Sequence, residues 1–318
     1  MAAESVLVLG ATGGFGGAMA RELAMRGHRV RILARDPAKA ADALSDYPDF
    51  QIVSGDALDA ASLAKAAESA TVIVHGVNYP YPQWVPYMVR ATANVAAAAR
   101  RTRATILFPG NVYGFGRQTE HPLDEQASMR SDTRKGRLRT NLESSLRATV
   151  GDGVQVIVLR ANDYFGPTVR NPLVDRMFGS AARGRPITVL GDVDVPHQWA
   201  YLPDAARAGA MLLERRAQLD DFDTFHFAGY LAEPQRAFLE RIATLAGHPG
   251  LAIVPAPWWL IRLRGWFDPV AREVLELRYL WDNAVILDGA RLARTLPEFA
   301  PTPLDEAIGT TLASYRRG

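Results

Sequence analysis

Gly10, Gly13 and Gly16 recur at three-residue spacing, directly after the apolar run SVLVLG and directly before the alanine-rich stretch GGAMARELAMRG. A Cβ at such positions would block a tight turn, the approach of a pyrophosphate, or close packing of the next helix. The unpaired N–H groups that open that helix suit an anion. Strand, turn and helix in this order read as a dinucleotide-binding loop, with Thr12, Gly14 and Phe15 lining it. The end of the next β-rich run, RILARDP, selects the cofactor: Arg35 would accommodate the 2′-phosphate of NADP, and Asp36 would bond the ribose 2′-hydroxyl of NAD. Arg35 comes first past the strand, so NADP is preferred and NAD is the alternative. Arg31 shares its sheet face by strand alternation. Asp56, beside Ala57 in SGDALD, is placed either at an adenine edge or as a helix N-cap.

A parallel sheet must position these residues. The β-rich runs are residues 5–10, 28–35, 50–56, 70–76, 104–110 and 154–160, separated by helix-compatible stretches dominated by Ala and Leu. The alternation predicts an α/β chain with a doubly wound parallel sheet, Rossmann-like. After Arg160 the pattern gives way to Gly- and Pro-punctuated loops, and YLPDAARAGAMLLER and FHFAG supply one more helix and strand for the sheet. The expected division is a dinucleotide-binding domain over 1–165, with 195–228 returning to it, and a smaller substrate-binding region over 166–194 and 229–318. The four Trp at 258, 259, 266 and 281 are expected to serve core or lid packing.

Composition excludes several functions. Lys plus Arg number 36 against 34 Asp plus Glu, so no overall field draws the chain to nucleic acid or an anionic membrane, and any anion recognition must be local. With no cysteine there is no disulfide, thiolate metal site or cysteine nucleophile, and no metal site is expected. The chain enters a strand almost at once and carries no apolar run of membrane-spanning length, so a cytoplasmic location is expected.

Ligand-facing residues should follow the strands. After the fourth come His75 and Val77, candidates for the cofactor site with packing at the strand end as the alternative for His75, and the aromatic loop NYPYPQW with Tyr79 and Tyr81, suited to covering a nicotinamide or gripping a substrate ring. Asn111 and Tyr113 follow the fifth, where Tyr113 either donates a proton or packs. Asp163 and Tyr164 follow the sixth, with Asp163 either contacting substrate or shaping a turn; His197, near Trp199, is a further substrate-facing candidate.

GATGGFG, VIVHGVN, ATANVAAAARR, FPGNVYG, VLRANDYFGP and HQWAYLPDAARA occur in this order over roughly residues 5–230. In this the chain resembles the extended short-chain dehydrogenase/reductase superfamily, in its NAD(P)-dependent epimerase/dehydratase branch. The resemblance implies a dinucleotide in the N-terminal domain and a substrate, often a nucleotide-linked sugar, against the C-terminal region. It also implies a Tyr-x-x-x-Lys pair and a nearby Ser or Thr. In the register set by NVYG and Glu143, those positions hold Lys135, Arg139 and Pro109. Either Arg139 holds the ribose while Lys135, beside that cation, serves as a substituted general acid or base, or RSDTRKGRLR is a basic helix start that binds an anion or is merely solvated. The implied function is hydride transfer to an oxygenated small molecule by an atypical oxidoreductase or epimerase. With a nucleotide-sugar substrate, Arg170, Arg183 and Arg185 would pair with its phosphates. The alternative is a non-catalytic NADP(H)-binding redox sensor or partner-binding protein. A small-molecule substrate and a homodimer are the expected partners.

Overall fold

The computed structural model describes residues 3–47, 49–118 and 122–316. In the first half of the chain, strands β1 (Ser5–Leu9), β2 (Arg29–Ala34), β3 (Gln51–Ser54), β4 (Val72–His75) and β5 (Thr105–Asn111) alternate with helices α1 (Gly14–Met25), α2 (Pro37–Ala43), α3 (Ala60–Ala66) and α4 (Trp84–Thr102). Then follow α5 (Arg134–Arg147), β6 (Val156–Ala161), β7 (Asp163–Phe165), α6 (Pro172–Val174), β8 (Ile187–Val189), β9 (His197–Tyr201), α7 (Leu202–Glu214) and β10 (Phe222–Phe227). The C-terminal part adds β11 (Tyr230–Ala232), α8 (Gln235–Leu245), β12 (Ile253–Pro255), α9 (Trp258–Arg264) and α10 (Pro269–Leu275). It ends with α11 (Tyr279–Asp282), α12 (Ala290–Thr295) and α13 (Leu304–Arg316).

All six expected strands form. Helix α2 was not expected, although its signal is local: Asp36 accepts a hydrogen bond from the Lys39 amide, and Pro37 occupies the first helical position. The chain divides into two compact units, one of residues 1–111, 138–160 and 205–225, the other of 112–137, 161–204 and 226–318. The first holds the seven-stranded sheet in the order β10-β6-β5-β4-β1-β2-β3. The ladders β3–β2–β1–β4–β5 are parallel. From β1 the chain runs outward through β2 and β3, then returns to β1's other side as β4, so strand order reverses between β1 and β4. At that point the carboxyl ends of a doubly wound sheet leave a crevice. Leu7, Val8, Ile32, Ile73 and Val74 fill the sheet's centre without exposure, as strands covered on both faces require.

The second unit contains a three-stranded sheet, β11-β9-β7, and the pair β12-β8. Its core is aromatic, with Trp199 stacked on Phe238 at 5.2 Å and Phe165 on Phe178 at 5.6 Å. Trp281 is buried and Trp258 packs against it at 6.1 Å, but Trp259 and Trp266 lie exposed, which corrects the packing expected of them. No helix among the described residues is long and apolar enough to cross a membrane.

Three glycines lock the crevice. A Cβ on Gly16 would collide with the Gly10 carbonyl, and one on Gly76 would lie 2.7 Å from the Leu9 carbonyl oxygen and 2.9 Å from the Gly16 Cα. The end of β4 therefore touches the turn after β1 through backbone alone. Gly10 also has φ +72°, which an L side chain resists. Gly16→Ala is expected to lower stability by about 1–3 kcal/mol, read as a shifted urea midpoint with unchanged slope.

Candidate functional site

The glycine turn presents an anion cradle. Gly13 caps the twelve-residue α1, no side chain caps that end, and its first turn carries no acidic residue. The Gly13 amide turns back to the Gly10 carbonyl at 2.9 Å, while Thr12 and Gly13 face solvent. Backbone donors without a competing carboxylate fit a pyrophosphate.

Residues past three strand ends act on one another. Arg35, exposed past β2, and Asp56, past β3, both act electrostatically on Tyr79, past β4. Burial raises the pKa of Tyr79 most, Asp56 adds to the rise, and Arg35 opposes it. The carboxylate of Asp36 is engaged in capping α2. Asp56 does not cap α3, because Asp59 does; Asp56 accepts instead from the Leu58 amide at 2.9 Å. Ala57 is buried, and its carbonyl receives the Asn94 amide at 2.9 Å. Arg31, on the same sheet face as Arg35 by alternation, is anchored to the carbonyls of Ala66 and Glu68, each at 2.9 Å.

The aromatic loop folds on Trp84, whose indole N–H donates to Asn78 Oδ1 at 3.0 Å and the Tyr79 carbonyl at 2.7 Å. Tyr79 meets Tyr87 edge-on at 5.3 Å, and Tyr81 meets Trp84 at 4.9 Å. His75 is fully buried, with Nε2 at 2.8 Å from Thr92 Oγ1 and its ring against Phe108. Burial, helped by the charge of Arg139, pushes its pKa down to about 3, so the imidazole is neutral. The site-facing group at this strand end is therefore backbone, with Val77 partly exposed beyond Gly76.

Helix α5 carries Lys135 and Arg139. Arg139 is buried, donates to the Pro109 carbonyl at the end of β5, and lays its guanidinium over Phe108 at 4.7 Å and Trp84 at 6.0 Å. One turn further, Glu143 forms a buried pair with Arg160 at 2.6 Å. Asn111 closes β5, partly exposed.

In the second unit, Lys135 is buried and its ammonium donates to both Glu273 and Glu276, the latter at 2.8 Å. Its backbone amide also donates to Glu276, at 2.9 Å. Burial would raise the Glu276 pKa, but these hydrogen bonds and the ammonium charge outweigh it and hold the carboxyl below its usual value. Neither glutamate belongs to any motif; the available signal was an acidic pair at i, i+3 in AREVLEL, able to meet a basic helix start. The Tyr113 carbonyl accepts from the Tyr279 hydroxyl at 3.0 Å. Parallel pairing of β7 with β9 brings Asp163 to His197, Oδ2 to Nε2 at 3.1 Å, and His197 leans on Trp199 at 4.9 Å. Tyr164 follows Asp163 in β7, partly exposed. Arg170, Arg183 and Arg185 are all exposed, and Arg170 lies over Tyr315 at 4.2 Å and bonds Ser314.

With this geometry in place, the sequence profile of the NAD dependent epimerase/dehydratase family matches residues 6–227. The chain belongs to that family. It is 26% identical over 285 residues to a 3-diazoavenalumate denitrifying reductase of a Streptomyces species, covering 82% of this chain and 88% of that one. In fold it is similar to the UDP-glucose 4-epimerase of Brucella ovis in complex with NAD, with a TM-score of 0.77, 20% identity and 98% of both chains covered. It is likewise similar to the dTDP-glucose 4,6-dehydratase of Bacillus anthracis with NAD, with a TM-score of 0.79, 14% identity, and 99% and 97% covered.

The depressed pKa of His75 sets a pH dependence. The unfolded imidazole binds a proton below its ordinary pKa near 6.5, and the folded one not until about 3. The stabilisation is thus whole above pH 6.5 and lost as pH falls toward 3. From pH 7 to 5, wild type should lose about 2 kcal/mol more stability than His75→Gln, measured by urea unfolding at both pH values; parallel losses would contradict this origin.

Proposed function

We propose that the protein is an NADP(H)-preferring reductase of the epimerase/dehydratase family that delivers hydride to a small electrophile without a tyrosine acid. One observation carries the reading: the dinucleotide cradle is whole, while both cations of the altered motif are engaged by this chain. Lys135 is bound to two carboxylates, and Arg139 is bound to a strand carbonyl and stacked on two rings.

When bound, the nicotinamide cofactor supplies the hydride. The amides opening α1 would hold its pyrophosphate, Arg35 its 2′-phosphate, and Asp56 its adenine edge, with Tyr79 covering the ribose. One carboxylate oxygen of the exposed Asp36 is spent on the α2 cap, and Arg35 stands exposed before it at the end of β2, which favours NADP. Arg139, at the position of the family's ribose-holding lysine, keeps a fixed positive charge there, oriented by the Pro109 carbonyl. Asn111, partly exposed where β5 ends, is left to meet the substrate beside the cofactor.

Acceptors that need no proton delivered to oxygen fit this site best. The Streptomyces relative is by its name a reductase of a diazo compound. At a diazonium carbon the hydride pair forms the C–H bond, the C–N pair departs with dinitrogen, and no alkoxide needs protonation. A nucleotide-sugar substrate is favoured less, because Arg170, one of three arginines expected to meet its phosphates, is held on Tyr315 and Ser314.

Calorimetric titration is expected to show NADPH binding tighter than NADH, a preference that Arg35→Ala abolishes. A following screen of diazonium, carbonyl and nucleotide-sugar acceptors should then consume NADPH. Failure of both cofactors to bind overturns the reading. Binding without turnover on any acceptor class would favour a redox sensor instead.

A further inference from the structure

We propose that the hairpin formed by α9 and α10 is a docking tip for an anionic lipid bilayer. Trp259, Leu260, Leu263, Trp266, Phe267 and Val270 are all exposed within twelve residues. Trp259 is 68% exposed, and the adjacent Trp266 and Phe267, in the turn between the helices, are 73% and 86% exposed. Exposure that high at two consecutive large rings describes a protruding tip rather than the wall of a groove. Tryptophan and phenylalanine on such a tip suit the boundary between headgroups and acyl chains.

The charges around the tip choose the lipid. Asp268 caps α10 and pairs with Arg264 at 2.9 Å. Glu273 and Glu276 are turned to Lys135, and Glu273 also lies 3.6 Å from Arg134. Every carboxylate of the hairpin is thus engaged by a cation. Arg262 and Arg272 are exposed and have no carboxylate partner among the described residues; Arg272 bonds only the Gly265 carbonyl, at 3.0 Å. The outward field is positive beside an apolar tip, which complements an anionic surface and gives a neutral one less to attract. The chain's near-balanced total charge does not oppose this, because the attraction is local.

The test is cosedimentation of the whole protein with phosphatidylcholine–phosphatidylserine vesicles and with phosphatidylcholine alone, together with tryptophan emission. Binding to the mixed vesicles should be roughly tenfold tighter or more, weaken with added salt, and blue-shift the emission. The Trp266→Ser/Phe267→Ser double variant should lose binding and Arg262→Glu should weaken it, both with wild-type melting temperatures, since these side chains are exposed. Equal binding to the two vesicle types, or binding that survives the double variant, overturns the proposal. So does a wild-type dimer that the double variant converts to a monomer without any vesicle binding, since a second copy would then be the occupant.

Discussion

The ammonium of Lys135, held between Glu273 and Glu276, constrains how every other part of this chain can act. A buried cation must be paired, and here both partners come from a segment about 140 residues away in sequence. The contact ties the start of α5 to α10 and consumes the hydrogen-bonding capacity of the side chain that stands where the family resemblance puts a tyrosine acid. It also withdraws two negative charges from the exposed hairpin, leaving arginine as the charge that faces outward. One interaction therefore bears on catalysis, stability and surface character together.

The opposite logic governs the glycine turn. There the Gly13 amide returns to the Gly10 carbonyl, and the lack of side chains at Gly10, Gly13 and Gly16 leaves room. The close approach of Gly10 and Gly16 to Gly76 lets the turn after β1 and the end of β4 meet through backbone, and α1 begins without a side-chain cap. On the proposed reading, cofactor chemistry and proton chemistry have different fates in this chain: the glycine turn stays open for a dinucleotide, whereas Lys135 and Arg139 serve as structural contacts. A hydride acceptor with a built-in leaving group reconciles the two.

Much of the fold was legible in sequence because it rests on local periodicity. Six apolar runs became strands, and the spacing of Gly10, Gly13 and Gly16 identified the turn from chain geometry alone. Helix α2 carries a local signal, Asp36 as cap and Pro37 at the first helical position, in a segment whose charges also read as cofactor-selecting. What sequence could not supply was long-range pairing. Lys135 and Arg139 share a helix face by spacing, yet one is bound by two glutamates and the other by the Pro109 carbonyl and two rings, and no periodicity encodes those partners. The same holds for Asp163 and His197, joined only through the pairing of β7 with β9. Trp259 and Trp266 were expected to pack because large apolar rings usually do; their exposure depends on which face of a short hairpin the rest of the chain covers.

The central claim is that Lys135 is a structural clamp and not the acid or base of the site. Its most direct test is Lys135→Met, followed by thermal and urea unfolding and by NADPH titration. Two glutamates left without their cation in a mostly buried setting should cost about 2 kcal/mol of stability, while NADPH affinity stays within about twofold, well under the 1.4 kcal/mol that a tenfold change would represent. Wild-type stability combined with a tenfold or greater loss of NADPH binding would place Lys135 in the cofactor site and contradict the account.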